Sequence, residues 1–250
     1  ELLAKLRAEM PDLQEIAESR LSQLMPVLLR LVSRETLPDQ AFLRCLDLIE
    51  AIKRRSTYIA FLNENLDALQ RMIRLFSISP FVVSRVSQFP ILLYELTDRD
   101  VEQGLESKVE LQERLDTELA RLPEADLEGG MDVLRTFKHS ATLKVAMLEL
   151  LDLVPTMKAS DQLTAIAEVV LGQSVVLAAR YLVERHGLPS NASGEADTVN
   201  FGVIAYGKLG GVELGYGSDL DVVFVFDAHP SGATLGARPI DNRVFYSRLG

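Results

Sequence analysis

The chain has 250 residues, 48% of them apolar and 25% charged, with 36 acidic side chains against 26 basic ones and a formal charge of −10. That balance excludes a disordered or fibrous chain and leaves room for one large domain or two modest ones. An acidic surface also disfavours nucleic acid as a partner.

Residues 1 to about 187 predict nearly continuous helix. Apolar residues recur at three- and four-residue spacing, as in Leu21, Leu24, Leu28 and Leu31, or Leu66, Leu69, Ile73 and Phe76. Cys45, the single cysteine, excludes an intramolecular disulfide and fits a helix core. Leu37-Pro38-Asp39 reads as a helix–helix connection, and the basic run Lys53-Arg54-Arg55 as a solvated helix face. Ser79-Pro80 predicts an N-cap followed by an N1 proline, and Pro90 restarts a helix. Gly129-Gly130 weakens the start of a helix that runs to Leu150, and Pro155 ends it. Ser160 is the expected cap of the next helix, which stops at Gly187. No signal peptide and no apolar run of membrane-spanning length is read, so a cytoplasmic protein without a membrane partner is expected. Because the chain opens on Glu1 and stops inside the pattern "FYSRLG", it is expected to be a fragment.

The composition then shifts. Residues 188–200 are small, polar and turn-forming; "FGVIAYG" predicts a strand, a glycine-dense turn follows, and "DLDVVFVFD" predicts a second, buried strand. Residues 228–242 read as a loop and "RVFYSRLG" as the start of a helix. The expected organisation is a helical region over 1–157 and an α/β unit over 158–250.

Asp219 and Asp221 are two apart, so a strand would point both carboxylates to one face, where they repel unless a cation sits between them. Magnesium suits such a pair, because it takes one or two carboxylates and completes its shell with water and phosphate oxygens. Gly207, Gly210, Gly211, Gly215 and Gly217 let backbone N–H groups approach an anion, and Lys208 adds a positive charge. The Walker, dinucleotide-fingerprint and EF-hand patterns are not matched. The bland alternative is a turn cap at Asp219 and an edge-strand charge at Asp221. His139, His186 and His229 show no metal-ligand spacing and read as surface or capping residues.

The stretch "YGKLGGVELGYGSDLDVVF" resembles the nucleotidyltransferase signature of the DNA polymerase β-like superfamily. Gly207-Lys208, ten intervening residues and Asp219-Leu220-Asp221 keep its spacing; Ser218 stands at the serine that precedes the first aspartate, while Lys208 replaces the usual serine of the turn. More closely, the chain resembles the bifunctional glutamine synthetase adenylyltransferase/adenylyl-removing enzymes. The wording "ELGYGSDLD" is similar to their adenylylating copy, and 54–98, 126–140 and 157–171 are similar to the helices before it. Tyr94 departs from an aspartate of that family, and Gly129-Gly130 from more helical residues.

The resemblance implies an α+β protein, an all-α helical bundle followed by a truncated polymerase β-like unit. It implies a Mg²⁺-dependent nucleotidyltransferase that moves AMP from ATP to a tyrosine of glutamine synthetase. Asp219 and Asp221 would be the catalytic, metal-holding pair, with Gly207, Lys208 and Ser218 on the nucleotide. A third carboxylate is expected beyond Gly250, so the fragment alone is expected to lack full activity. The PII signal protein and glutamine are the implied regulators. Phosphorolytic removal of AMP is the alternative activity, and a non-catalytic helical binding module the alternative from another class.

Overall fold

The computed structural model describes residues 15–97, 104–123 and 126–250. Helical expectations for 1–14, 98–103 and 124–125 lie outside the described residues. The element order is α1 (Glu15–Val32), α2 (Pro38–Ile52), α3 (Ser56–Glu64), α4 (Leu66–Ile78), α5 (Pro80–Gln88) and a 3₁₀ segment (Pro90–Thr97). It continues with α6 (Lys108–Leu119), α7 (Leu127–Leu150), α8 (Thr156–His186), β1 (Phe201–Ala205), α9 (Gly207–Gly210), β2 (Val222–Phe226) and α10 (Asn242–Leu249). The chain is thus α+β, mostly helical with one small antiparallel sheet.

Two compact units divide it, Glu1–Gly104 with Leu143–Val154, and Leu105–Thr142 with Pro155–Gly250. The second compact unit takes in α6 and α7 as far as Thr142 as well as the elements from α8 onward.

In the first unit the leucine stripe of α1 is buried as its spacing requires; in α4, Leu69, Ile73 and Phe76 are buried, but Leu66 opens the helix and is exposed. Ser79 caps α5 through its side chain, which accepts from the Val82 N–H, with Pro80 at the first position. Pro38 is likewise the first residue of α2, so of the expected connection Leu37 lies between the helices while Pro38 and Asp39 are already helix. The basic run falls in the turn after α2 rather than on a helix. The Arg44 guanidinium donates to the carbonyls of Phe76 (2.6 Å) and Ser77 (3.0 Å), satisfying acceptors that the end of α4 leaves open.

Cys45 is fully buried on α2, and burial, followed by the nearby Glu35 and Asp47 charges, pushes its thiol up to about 12. Since the thiolate is the reactive form, Cys45 in the folded chain is expected to react with Ellman's reagent at pH 8 about 10³-fold more slowly than in urea. Equal rates with and without urea would show that the thiol is reached without unfolding.

In the second unit α6 begins with a capping box, Ser107 and Glu110 each satisfying the other's backbone N–H. A line of polar contacts joins α6 and its leading segment to α8: Gln162 to the Glu106 carbonyl (2.8 Å), Lys108 to Glu168 (2.6 Å) and Gln173 to Asp116 (2.6 Å). Helix α8 begins at Thr156 behind Pro155, so Ser160 is inside it and is not its cap, and α7 ends at Leu150, before Pro155. By length and composition α8 is long and apolar enough to cross a membrane, which corrects the sequence expectation; only 17% of its most apolar window is buried. Polar residues such as Glu168 and Gln173 interrupt the run to the eye without lowering its mean hydropathy enough.

The sheet has the register Phe201↔Phe226 to Ala205↔Val222. Tyr246 and Phe245 of α10 pack with Leu182 of α8, and Phe226 stacks on Tyr246 with ring centroids 4.8 Å apart. Buried Asn242 exchanges hydrogen bonds with the Ser190 backbone and fixes α10 against the segment after α8. Contrary to expectation, β2 is not buried: Val223, Phe224, Val225 and Phe226 are all exposed, because a two-stranded sheet has too few neighbours to cover both faces.

Candidate functional site

The signature residues lie on one loop between the paired strands. The pairing of β1 and β2 continues one step past them, where the Tyr206 N–H donates to the Asp221 carbonyl at 2.8 Å. This bond sets the entrance and exit of the loop side by side. Strand β2 begins at Val222, so Asp219 and Asp221 precede it rather than opening it.

After Tyr206 the chain makes the short helical turn α9. Gly207 takes φ +53°, in the left-handed region, and a β-carbon there would stand 2.2 Å from Asp221 Oδ2. The Asp221 carboxylate therefore occupies the space that the missing side chain of Gly207 leaves. Gly210 serves packing instead, since a β-carbon on it would lie 2.6 Å from the Ala205 carbonyl oxygen. Leu209 is buried and anchors the turn.

The turn closes with a Schellman pair of bonds, Glu213 N–H to the Lys208 carbonyl (2.8 Å) and Val212 N–H to the Leu209 carbonyl (3.2 Å). The residue at the left-handed position is Val212, with φ +57°, where glycine is usual. A β-branched residue there costs on the order of 1–3 kcal/mol. Surrounding contacts hold it: Leu214 is buried two residues on, and its carbonyl accepts from Ser160 Oγ of α8 at 3.0 Å. Sequence reasoning missed this role of Ser160, and a hydrogen bond 54 residues distant leaves no local signal.

The glycine cradle is narrower than the sequence suggests. The N–H groups of Gly210 and Gly211 bond within the turn to the carbonyls of Tyr206 and Gly207, and the Gly215 N–H donates to Ser218 Oγ at 3.0 Å. These three are committed internally. Ser218 keeps its hydroxyl proton and a further lone pair for another partner.

Lys208, Asp219 and Asp221 are all exposed, and none of the three side chains has a hydrogen-bond or ion-pair partner among the described residues. Like charges left unpaired on one short loop favour a cation there. No group of three or more His, Cys, Asp or Glu side chains able to hold a metal occurs among the described residues. Two exposed carboxylates without a third are the chemistry an open magnesium site would use, not that of a closed protein cage.

The histidines stand apart from this loop. His186 is buried at the end of α8, its Nδ1 2.6 Å from the Arg238 carbonyl oxygen, and so is structural rather than on the surface. The exposed His229 lies in the loop before α10, and His139 is on α7.

An α+β chain whose antiparallel hairpin carries a glycine turn and two unpaired aspartates is what the structure shows, and comparison with known proteins supplies the family. A model of the glutamate-ammonia ligase adenylyltransferase family matches residues 69–250, and the chain belongs to that family. It is 42% identical over 99% of its length to a bifunctional glutamine synthetase adenylyltransferase/adenylyl-removing enzyme of Pseudomonas syringae pv. tomato. Proteins of the same name from Nitrosococcus oceani and Hahella chejuensis are 43% and 38% identical over 94% and 100% of the chain. The chain spans about a quarter of the length of these relatives, 25%, 24% and 26% respectively.

Proposed function

We propose that this chain contributes a nucleotidyl-transfer site that moves AMP from ATP to a tyrosine of glutamine synthetase. The observation that carries the reading is the contact between Asp221 and Gly207, which joins the acidic half of the signature to its glycine half. Family membership supports the adenylyl chemistry, and the relatives' names support glutamine synthetase as the acceptor. On this reading the hairpin is the opening of a polymerase β-like nucleotidyltransferase sheet.

Asp219 and Asp221 would hold Mg²⁺, which when bound neutralises charge on the phosphates. The chain's own residues then position the substrate. Lys208 attracts the β- and γ-phosphates, and the Ser218 hydroxyl donates to a phosphate oxygen. Gly207 keeps the turn open so that the nucleotide approaches Asp221 without a side chain between them. In the transfer the tyrosine oxygen bonds to the α-phosphorus, the bond to the bridging oxygen breaks, and pyrophosphate leaves with its electron pair; the tyrosine proton passes to a base. The helical region is the proposed receiver of signals from the PII protein and glutamine.

The relatives' double name keeps the reverse activity as a second reading. Incubating a protein of the relatives' full length with glutamine synthetase and ATP labelled at the α-phosphate tests both. Label on glutamine synthetase with matching pyrophosphate is the expected result. Phosphate-dependent release of ADP from the modified protein, without forward labelling, would replace the first reading by the second.

A further inference from the structure

Helix α8 is flanked by cavities along its half-buried middle, and one of them has a charge pattern unlike the rest of the chain. It lies between the start of α7, the C-terminal half of α8 and the end of α10, with a volume of about 560 Å³. That is within the range of pockets for small organic ligands. Leu134, Leu177 and Leu182 give it an apolar wall, and Arg185, His186 and Arg248 are its basic lining; no carboxylate lines it.

Neither arginine is oriented by an acid. Arg185 Nη1 donates to the Tyr181 hydroxyl at 2.8 Å. His186 Nδ1 lies 2.6 Å from the Arg238 carbonyl oxygen, and Arg248 Nη1 stands 3.4 Å from His186 Nε2. Neither guanidinium has an ion-pair partner among the described residues, although the chain carries a net charge of −10. Most donors of each guanidinium are therefore still unspent. Of its neighbours, the cavity beside Asp116, Asp126, Arg180 and Glu184 balances its cation with acids, and the one beside Ser218 and Leu220 has Lys138 alone as a basic lining residue.

We propose that the cavity between α7, α8 and α10 binds a small organic anion, an apolar body ending in a carboxylate or phosphate. The leucine wall removes the body from water, and Arg185 and Arg248 pair with the head group through charge-assisted hydrogen bonds. A ligand with only one of these halves forfeits the other contribution.

Titration calorimetry on a protein of the relatives' full length, with octanoate, octyl phosphate, 1-octanol and inorganic phosphate as probes, tests this. Octanoate or octyl phosphate, or both, should bind at least about tenfold more tightly than 1-octanol and than inorganic phosphate, and the better of the two identifies the head group. Arg185→Gln and Arg248→Gln should each weaken that binding about tenfold and leave the affinity for 1-octanol unchanged. Arg185 is exposed, so its variant folds even if loss of the Arg248 contact to His186 disturbs α10; thermal melts without ligand check both. No binding of either anion, equal binding of octanoate and 1-octanol, or undiminished anion binding in the folded Arg185→Gln variant would overturn the assignment.

Discussion

Asp221→Asn, made in a protein of the relatives' full length, is expected to lower AMP transfer to glutamine synthetase by about 10³-fold while leaving the fold intact. The two halves of that expectation have separate causes. Asp221 is exposed and its carboxylate has no protein partner among the described residues, so folding loses no ion pair when the charge is removed. Asparagine keeps the shape that fits against Gly207. On the proposed mechanism, what would disappear is half of the charge that Asp219 and Asp221 would offer a divalent ion. Asp219→Asn is expected to act in the same direction. Glu213→Gln removes one negative charge from the same loop and is the control for net charge, since Glu213 stands outside the acidic pair. Wild-type transfer with wild-type magnesium dependence in Asp221→Asn would remove the mechanism, whatever the family.

The parts of this site that were legible in the sequence are those set by local chemistry. Two acids two residues apart, a glycine-rich turn and a lysine are visible in one stretch, and they share one loop, although the acids were expected to open β2 and instead precede it. The strand FGVIA and helices α4, α5 and α8 follow from periodicity and from the punctuation of Ser79-Pro80 and Gly187. What was not legible depends on residues far away. The apolar run VVFVF reads as buried because its composition is that of a central strand, yet exposure is decided by how many neighbours flank it. Val212 sits where glycine is usual because the buried Leu214 and the Ser160 bond set the frame of the turn, and neither announces itself in the pattern around 212. Ser160 looked like a cap because serine before an apolar run usually is one. The placement of His186 likewise required the return of α10 and its preceding loop, some fifty residues later, to supply Arg238 and Arg248.

Gly207→Ala examines the same site from the backbone side. Alanine at φ +53° costs on the order of 1–2 kcal/mol, from the clash of its β-carbon with its own carbonyl. The new methyl also meets Asp221 Oδ2 at 2.2 Å, well inside contact distance. The backbone cannot simply widen, because the Tyr206 N–H and the Asp221 carbonyl hold the two strands together at that level. The carboxylate must turn away, and it has solvent to turn into. The expected result is a loss of stability of about 1–3 kcal/mol, read from urea unfolding, together with a fall in AMP transfer of about 10²-fold. Gly217→Ala is the matched comparison. Gly217 has no positive φ, and a β-carbon there meets nothing within 4 Å, so its effect on both quantities should be small. If Gly207→Ala lost stability but transferred AMP at the wild-type rate, the contact between the glycine turn and Asp221 would be a feature of the fold alone. If both quantities fall while those of Gly217→Ala hold, the position of the Asp221 carboxylate is itself part of the catalytic arrangement.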